Sequence, residues 1–204
     1  MKTRLLYAGA LVLALCVIAL VACAAPTPAP TPTAASNASA ILTLTAPQGP
    51  PGIEIGALAP DFTLTDTTGR TVNLAEEASK HTSVIVAFYR YESWPYSISQ
   101  LVGLAGKTKS FADKDAEIIA LSNQDIDGAR RTAAKTMNVE QVASMTILAD
   151  LGGSAAMEWK MIASDGVDAP SALIINPERK VVWRYIGKTD YDNPPTTLII
   201  GNQP

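Results

Sequence analysis

A chain of 204 residues holds one ordinary domain with appendages, not two full domains. Its net charge of −3 has no basic run behind it, which argues against a nucleic-acid footprint or a polybasic patch for anionic lipid. Two cysteines and one histidine in the whole chain leave little for thiol, zinc or haem chemistry.

The chain opens with Lys2 and Arg4, then an apolar run from Leu5 to Ala22 that closes on Leu20-Val21-Ala22-Cys23. Charge, then apolar stretch, then small residues is the order of a secretory signal. The ending resembles the lipobox of bacterial lipoproteins. That resemblance implies a signal peptide over 1–22, cleavage before Cys23, and a lipid on Cys23 that anchors the mature protein to the outer face of the membrane. The alternative is an uncleaved anchor, since about 18 apolar residues is the lower edge of a membrane span. Either way the expected location is extracytoplasmic. Setting Lys2 and Arg4 aside takes the net charge from −3 to −5.

Residues 23–52 turn abruptly to Ala, Pro, Thr and Ser, as in Ala25-Pro26-Thr27-Pro28-Ala29-Pro30-Thr31-Pro32. Such a composition cannot bury enough apolar surface to offset its ordering entropy. Proline keeps it extended, so it reads as a semi-stiff tether. The folded domain is expected over 53–204. Thr63 to Thr65 and Val72 to Leu74 flank the turn Thr67-Thr68-Gly69-Arg70 and predict a hairpin. Ser83 to Tyr89 is a short continuous apolar run, the pattern of a buried strand. Pro95 to about Asp113 carries Ile98, Leu101, Leu104 and Ala105 at helical spacing, with proline in the first turn.

Further strands are predicted at Glu117–Ser122, Met145–Ala149, Ser171–Asn176 and Val181–Ile186, with helices at Asp127–Met137 and Ser154–Trp159. The tail from Asn193 has Pro194-Pro195 to open a helix, but Gly201 leaves it about two turns and undecided. Strands alternating with helices, then a closing hairpin, predict a three-layer α/β domain with a mixed sheet.

Gly56-Ala57-Leu58-Ala59-Pro60-Asp61-Phe62-Thr63-Leu64, then Phe88-Tyr89-Arg90, Pro95-Tyr96 and Gln100-Leu101, then Ala169-Pro170-Ser171-Ala172-Leu173-Ile174, resemble the peroxiredoxins. More exactly, they resemble the alkyl hydroperoxide reductase and thiol-specific antioxidant group (AhpC/TSA), within the thioredoxin-like superfamily. The resemblance covers the folded domain in order and implies a thioredoxin-like fold and thiol-dependent peroxide reduction. In that family the active segment ends in Cys-Pro-Tyr-Cys or Thr-Pro-x-Cys. Without a gap, the first of these positions falls on Trp94 and the peroxide-attacking cysteine on Ser97. The family's later arginine falls near Ala169. Pro95 and Pro170 are the matching residues that remain, and both serve the backbone.

The chemistry goes with the sulfur. Peroxide reduction needs a thiolate activated by a helix N-terminus and a cation, and it passes through a sulfenic acid that oxygen cannot form. Cys16 lies in the apolar leader, and the lipid would consume Cys23. The mature domain then has no thiol, so a catalytically silent member of the family is expected. The competing reading is an oxidoreductase working with a partner that supplies the thiol.

A Ser97 hydrolase would need a base, and the lone His81 precedes a strand at the end opposite the active loop. Acidic residues such as Asp125, Asp127, Asp190 and Asp192 lack a calcium-loop spacing. Neither a metal nor a cofactor is expected. Tyr91, Trp94 and Tyr96 crowd the segment around Ser97, and large aromatics with polar tips suit a recognition surface. These four are the candidate binding residues, with Trp94 also readable as a plug, and Trp159 and Trp183 are expected in the core. The implied partners are the membrane, through Cys23, and an unidentified protein or small-molecule ligand.

Overall fold

Alternation along the strands builds the domain in layers. The computed structural model describes residues 52–137 and 145–204. The leader and all but the last residue of the tether, with Cys23, therefore lie outside the described residues. Seven strands form one sheet: β1 (Thr63–Asp66), β2 (Thr71–Asn73), β3 (Ser83–Phe88), β4 (Ala116–Ser122), β5 (Thr146–Ala149), β6 (Ser171–Ile175) and β7 (Val181–Ile186). Their order is β2-β1-β5-β4-β3-β6-β7. The middle pairs β3–β4 and β4–β5 are parallel, while β1–β2, β1–β5, β3–β6 and β6–β7 are antiparallel. This is the mixed sheet with an N-terminal hairpin that the sequence predicts.

Because side chains of a strand point alternately to the two faces, each central strand feeds two cores. Val84, Val86 and Phe88 of β3 join Ile119 and Leu121 of β4, Leu173 and Ile175 of β6, and Trp159 on one face. Ile85, Ala87, Ile118, Ala120, Ala172 and Ile174 meet Tyr89, Leu101, Leu104 and Phe111 on the other. The first face is covered by α1 (Leu74–Lys80) and α5 (Ser154–Glu158). The second is covered by α2 (Pro95–Ala105), α3 (Thr108–Ala112), α4 (Ile126–Thr136) and α6 (Thr196–Gly201). Burial on both faces explains why β3 and β6 are apolar after their opening serines, Ser83 and Ser171.

Three local expectations are corrected. Leu74 does not extend the hairpin; it starts α1, because Asn73 accepts the Glu76 N–H at 2.9 Å and caps a helix there. The long helix from Pro95 stops at Ala105. Gly106 then closes the turn with its N–H on the Val102 carbonyl, Lys107 leaves helical geometry, and α3 restarts at Thr108. Trp183, expected in the core, is only half-buried on the outer strand β7. The undecided tail does form a helix, α6, which packs Ile199 against the second core and lies against α2.

Candidate functional site

The site forms where β3 ends and α2 begins. Tyr89 is the last wholly buried ring of that run, and its hydroxyl accepts from Gln124 Nε2 at 2.7 Å. The chain then turns through Arg90, Tyr91, Glu92 and Ser93 to Trp94, which precedes α2 without offering it a side-chain cap. Pro95 takes the first helical position, where its missing N–H costs nothing. Ser97 follows in the first turn, fully buried, and its Oγ accepts the Arg90 N–H at 3.0 Å. The Arg90 carbonyl accepts from the Ser122 hydroxyl, so β3, β4 and α2 are tied together at one point.

Ser97 thus has its hydroxyl committed to the backbone and sheltered from solvent. A histidine base is not at hand. His81 sits before β3, at the opposite end of that strand, with Nδ1 3.0 Å from Asp115 Oδ1. That pairing, with the Thr82 N–H, holds the Asp115 carboxyl below its ordinary range. The sequence places His81 correctly.

The aromatic residues do come together. Tyr91 and Trp94 stand edge to face at 5.9 Å, while Trp94 and Tyr96 at 6.2 Å and Tyr96 and Tyr191 at 6.0 Å are tilted pairs. The Trp94 indole N–H donates to the Asp190 carbonyl at 2.9 Å, and Asn193 Nδ2 donates to the Tyr96 carbonyl at 2.7 Å. The loop 188–193 is therefore strapped across the start of α2. Pro170 joins from beneath: its carbonyl accepts the Gly187 N–H at 2.8 Å. A Cβ on Gly187 would stand 2.3 Å from the Asp192 carbonyl oxygen, so only glycine allows that approach. Trp94 is half-buried, while Tyr96 and Tyr191 are 48% and 60% exposed. Trp94 is thus both part of a plug and part of a surface.

The charged members of the site escape the sequence reading. The Arg90 guanidinium is buried, lies 5.5 Å from the Trp94 ring centroid and 6.0 Å from that of Tyr91, and pairs with Asp165. Burial opposes ionisation of Asp165, but the Arg90 hydrogen bond and the Val167 N–H hold its carboxyl below the ordinary range. Three residues on, Asp168 is wholly buried, with Oδ2 accepting the Asn123 N–H at 2.9 Å. Burial, reinforced by Asp150 and opposed by the Asn123 N–H and Arg90, pushes the Asp168 carboxyl up to about 7. Arg90 was visible within Phe88-Tyr89-Arg90, but its partners stand 75 residues further along the chain and no local pattern points to them.

Away from this site, a concavity of about 390 Å³ lies near the hairpin, lined by Asp66, Arg70, Glu77, His81, Glu117 and Thr146 among others. Its carboxylates are already engaged: Asp66 with Arg70 and Thr68, Glu77 with Lys80, Glu117 with Thr146. Among the described residues no group of three or more His, Cys, Asp or Glu could hold a metal ion.

Comparison with known proteins agrees with this fold. The family model described as "AhpC/TSA family" matches residues 55–184. Peroxiredoxin Q, chloroplastic, of Oryza sativa subsp. japonica is 28% identical over 131 residues, covering 64% of this chain and 57% of that protein. Peroxiredoxin Q, chloroplastic, of Gentiana triflora is 30% identical over 104 residues, covering 51% and 45%. The chain thus spans about half the length of the curated relatives it matches. Among solved structures, peroxidoxin BcpB of Mycobacterium tuberculosis superposes with a TM-score of 0.63 at 18% identity, covering 74% of this chain and 96% of that one. AhpC of the same organism gives 0.65 at 15%, covering 75% and 92%. These likenesses bear on the fold, which is thioredoxin-like of the peroxiredoxin type.

Proposed function

Because the chain belongs to the AhpC/TSA family, we propose that it is a peroxiredoxin-like protein without thiol catalysis, kept as an extracytoplasmic binding or scaffolding module. One observation carries the reading: the chain has two cysteines, Cys16 and Cys23, both before the domain, and Ser97 presents a buried hydroxyl bonded to the Arg90 N–H. A hydroxyl there is a far weaker acid than a thiol, and its oxygen cannot be oxidised to a sulfenic acid and recycled. What the domain retains is a rigid frame that displays Tyr96 and Tyr191 beside Trp94 and Tyr91, rings of the kind enriched where proteins recognise partners.

The test is hydrogen peroxide consumption with excess dithiol, in a Cys16→Ser/Cys23→Ser background that removes stray thiols. The parent should match the protein-free control. Ser97→Cys, combined with Trp94→Thr to open the buried position, should gain turnover. There the thiolate would attack one peroxide oxygen, break the O–O bond and leave a sulfenic acid for the dithiol to reduce, the released hydroxide taking a proton from solvent to become water. Turnover by the cysteine-free parent would defeat the proposal. The proposed anchor has its own test: fatty-acid labelling should tag the wild type and vanish in Cys23→Ala, and a persistent tag would refute the lipobox. Among the described residues no helix is long and apolar enough to cross a membrane.

A further inference from the structure

Beneath the aromatic rings one cation, Arg90, stands near two carboxyl groups, Asp165 and Asp168. Arg90 is 7% exposed, and its guanidinium serves one carboxylate, Asp165, which is itself half exposed. Arg90 Nε is buried and without a hydrogen-bond partner among the described residues, and so is Asp168 Oδ1. Arg90 and Asp168 act on one another electrostatically, and each keeps a buried polar atom without a partner, so the two offer a pairing that the present state leaves unmade.

Asp165 and Asp168 stand on one short loop. The Ile162–Asp168 bridge and the Ala163–Val167 hydrogen bond at 2.8 Å close it, and Gly166 turns it at φ +79°. Asp165 does not depend on Arg90 alone, since its Oδ1 also takes the Val167 N–H at 3.2 Å. Releasing the guanidinium would therefore leave Asp165 seated in its own turn and in contact with water.

The groups acting on Asp168 come from three elements. Arg90 and Tyr89 reach it from the end of β3, the Asn123 N–H from the end of β4, and Asp150 from the end of β5. Asp150 is buried but well served, by the N–H groups of Ala155 and Ala156 at 3.2 and 3.0 Å and by Ser154 Oγ at 3.1 Å. Burial drives the Tyr89 hydroxyl far above its usual range, so it stays neutral. Asp168 is the member of this set whose charge is free to change near neutral pH.

We propose that Arg90 is a two-position switch: it pairs with Asp165 while Asp168 is protonated, and moves to Asp168 when that carboxyl ionises. The proton passes to solvent, the guanidinium keeps its charge, and the Arg90–Asp165–Asp168 set goes from neutral to −1. The movement is felt at the surface, because in the present position the guanidinium stacks on Trp94 and Tyr91. Raising the pH therefore withdraws the cation from under the rings that carry the loop 188–193, through the Trp94 bond to Asp190. The population responds as any two-state element does, to whichever state the proton favours.

The test is the side-chain indole N–H spectrum of the full chain, with Trp94 assigned by its loss in Trp94→Phe, followed from pH 5.5 to 8.5. The Trp94 signal should shift with a midpoint near 7, while the signal of the buried Trp159 stays fixed. Asp168→Asn mimics the protonated acid in shape and should hold Trp94 at its low-pH position throughout. Asp165→Asn removes the competitor for Arg90 and should lower the midpoint by a pH unit or more. A Trp94 signal that ignores pH, that still titrates in Asp168→Asn, or that keeps its midpoint in Asp165→Asn would overturn the switch. The measurement needs no ligand and no peroxide, so its result is independent of the proposed function.

Discussion

Two tryptophans divide the molecule into a part that folds and a part that displays. Trp159 has no exposed surface, donates its indole N–H to the Pro60 carbonyl at 3.1 Å, and meets Phe88 at 5.5 Å and Phe62 at 6.2 Å. Its neighbours, Val84, Val86, Leu121 and Leu173, are apolar and equally closed to solvent. Trp94 makes as many ring contacts, but with tyrosines whose outer faces remain wet, and over a guanidinium in place of an aliphatic core. The difference shows that ring packing alone does not make a hydrophobic core. At Trp159 every contact is burial; at Trp94 the ring is only partly covered, and its neighbour Tyr96 is 48% exposed.

The largest expected effect sharpens that contrast. Trp159→Ala should cost about 3–5 kcal/mol, the range for removing a large aromatic from a closed core. Trp94→Ala should cost about 1 kcal/mol, because water already reaches the vacated space. Denaturant unfolding of both variants checks this, with slopes compared to confirm that the unfolded states match. Equal costs would mean that Trp94 is core after all and that the aromatic mouth is only packing.

The second effect separates the two regions by pH. The apolar surroundings of Trp159 give no reason for stability to vary with pH, whereas Asp168 does. Its carboxyl titrates at about 7 in the folded protein against 3.8 as a free side chain, the reverse of a salt-bridged acid. Between those values the folded state keeps a proton that the unfolded chain has released. Its contribution to stability therefore falls as pH rises from about 4 to 7, by up to about 1.4 kcal/mol per pH unit, and levels off above. Asp168→Asn should flatten that slope and raise the denaturation midpoint at pH 8 while leaving pH 4 nearly unchanged. The same slope in the variant would assign the pH dependence to other groups.

How much of this was legible follows from distance along the chain. The buried strands Ser83–Phe88 and Ser171–Ile175 announce themselves as apolar runs, and the aromatic site is legible because Tyr91, Trp94, Tyr96 and Ser97 fall within seven consecutive residues. Tyr191 joins that cluster from the far end of the chain through a hydrogen-bonded loop, and nothing near Tyr96 in sequence announces it. Arg90 and Asp168 were hidden for a stronger reason. Each alone looks like an ordinary surface charge, and only the sheet's order, which sets the ends of β3, β4 and β5 side by side, buries them together. The break at Gly106 was missed because Pro95 to Asp113 keeps apolar residues at helical spacing across it.

The smallest expected effect concerns the region that sequence misassigned. Val72-Asn73-Leu74 alternates like a strand, and Val72 is indeed paired with Leu64 in the hairpin. At Asn73 two roles compete for the same residue. Its backbone is still extended, at φ −112° and ψ 129°, yet its Oδ1 takes the Glu76 N–H and its Nδ2 reaches Asp61 and Thr63 at 3.1 Å. The cap wins because Leu74 and Ala78, four apart, both gain burial against the first core once the helix starts. Asn73→Ala should therefore cost about 1 kcal/mol, the usual value of a lost N-cap. Asn73→Ser, which restores an acceptor but not the reach to Asp61, should recover most of it. If Ser recovered nothing, the Asp61 and Thr63 contacts of the amide would be the larger part of the residue's role, and α1 would owe its start to the hairpin and not to its cap.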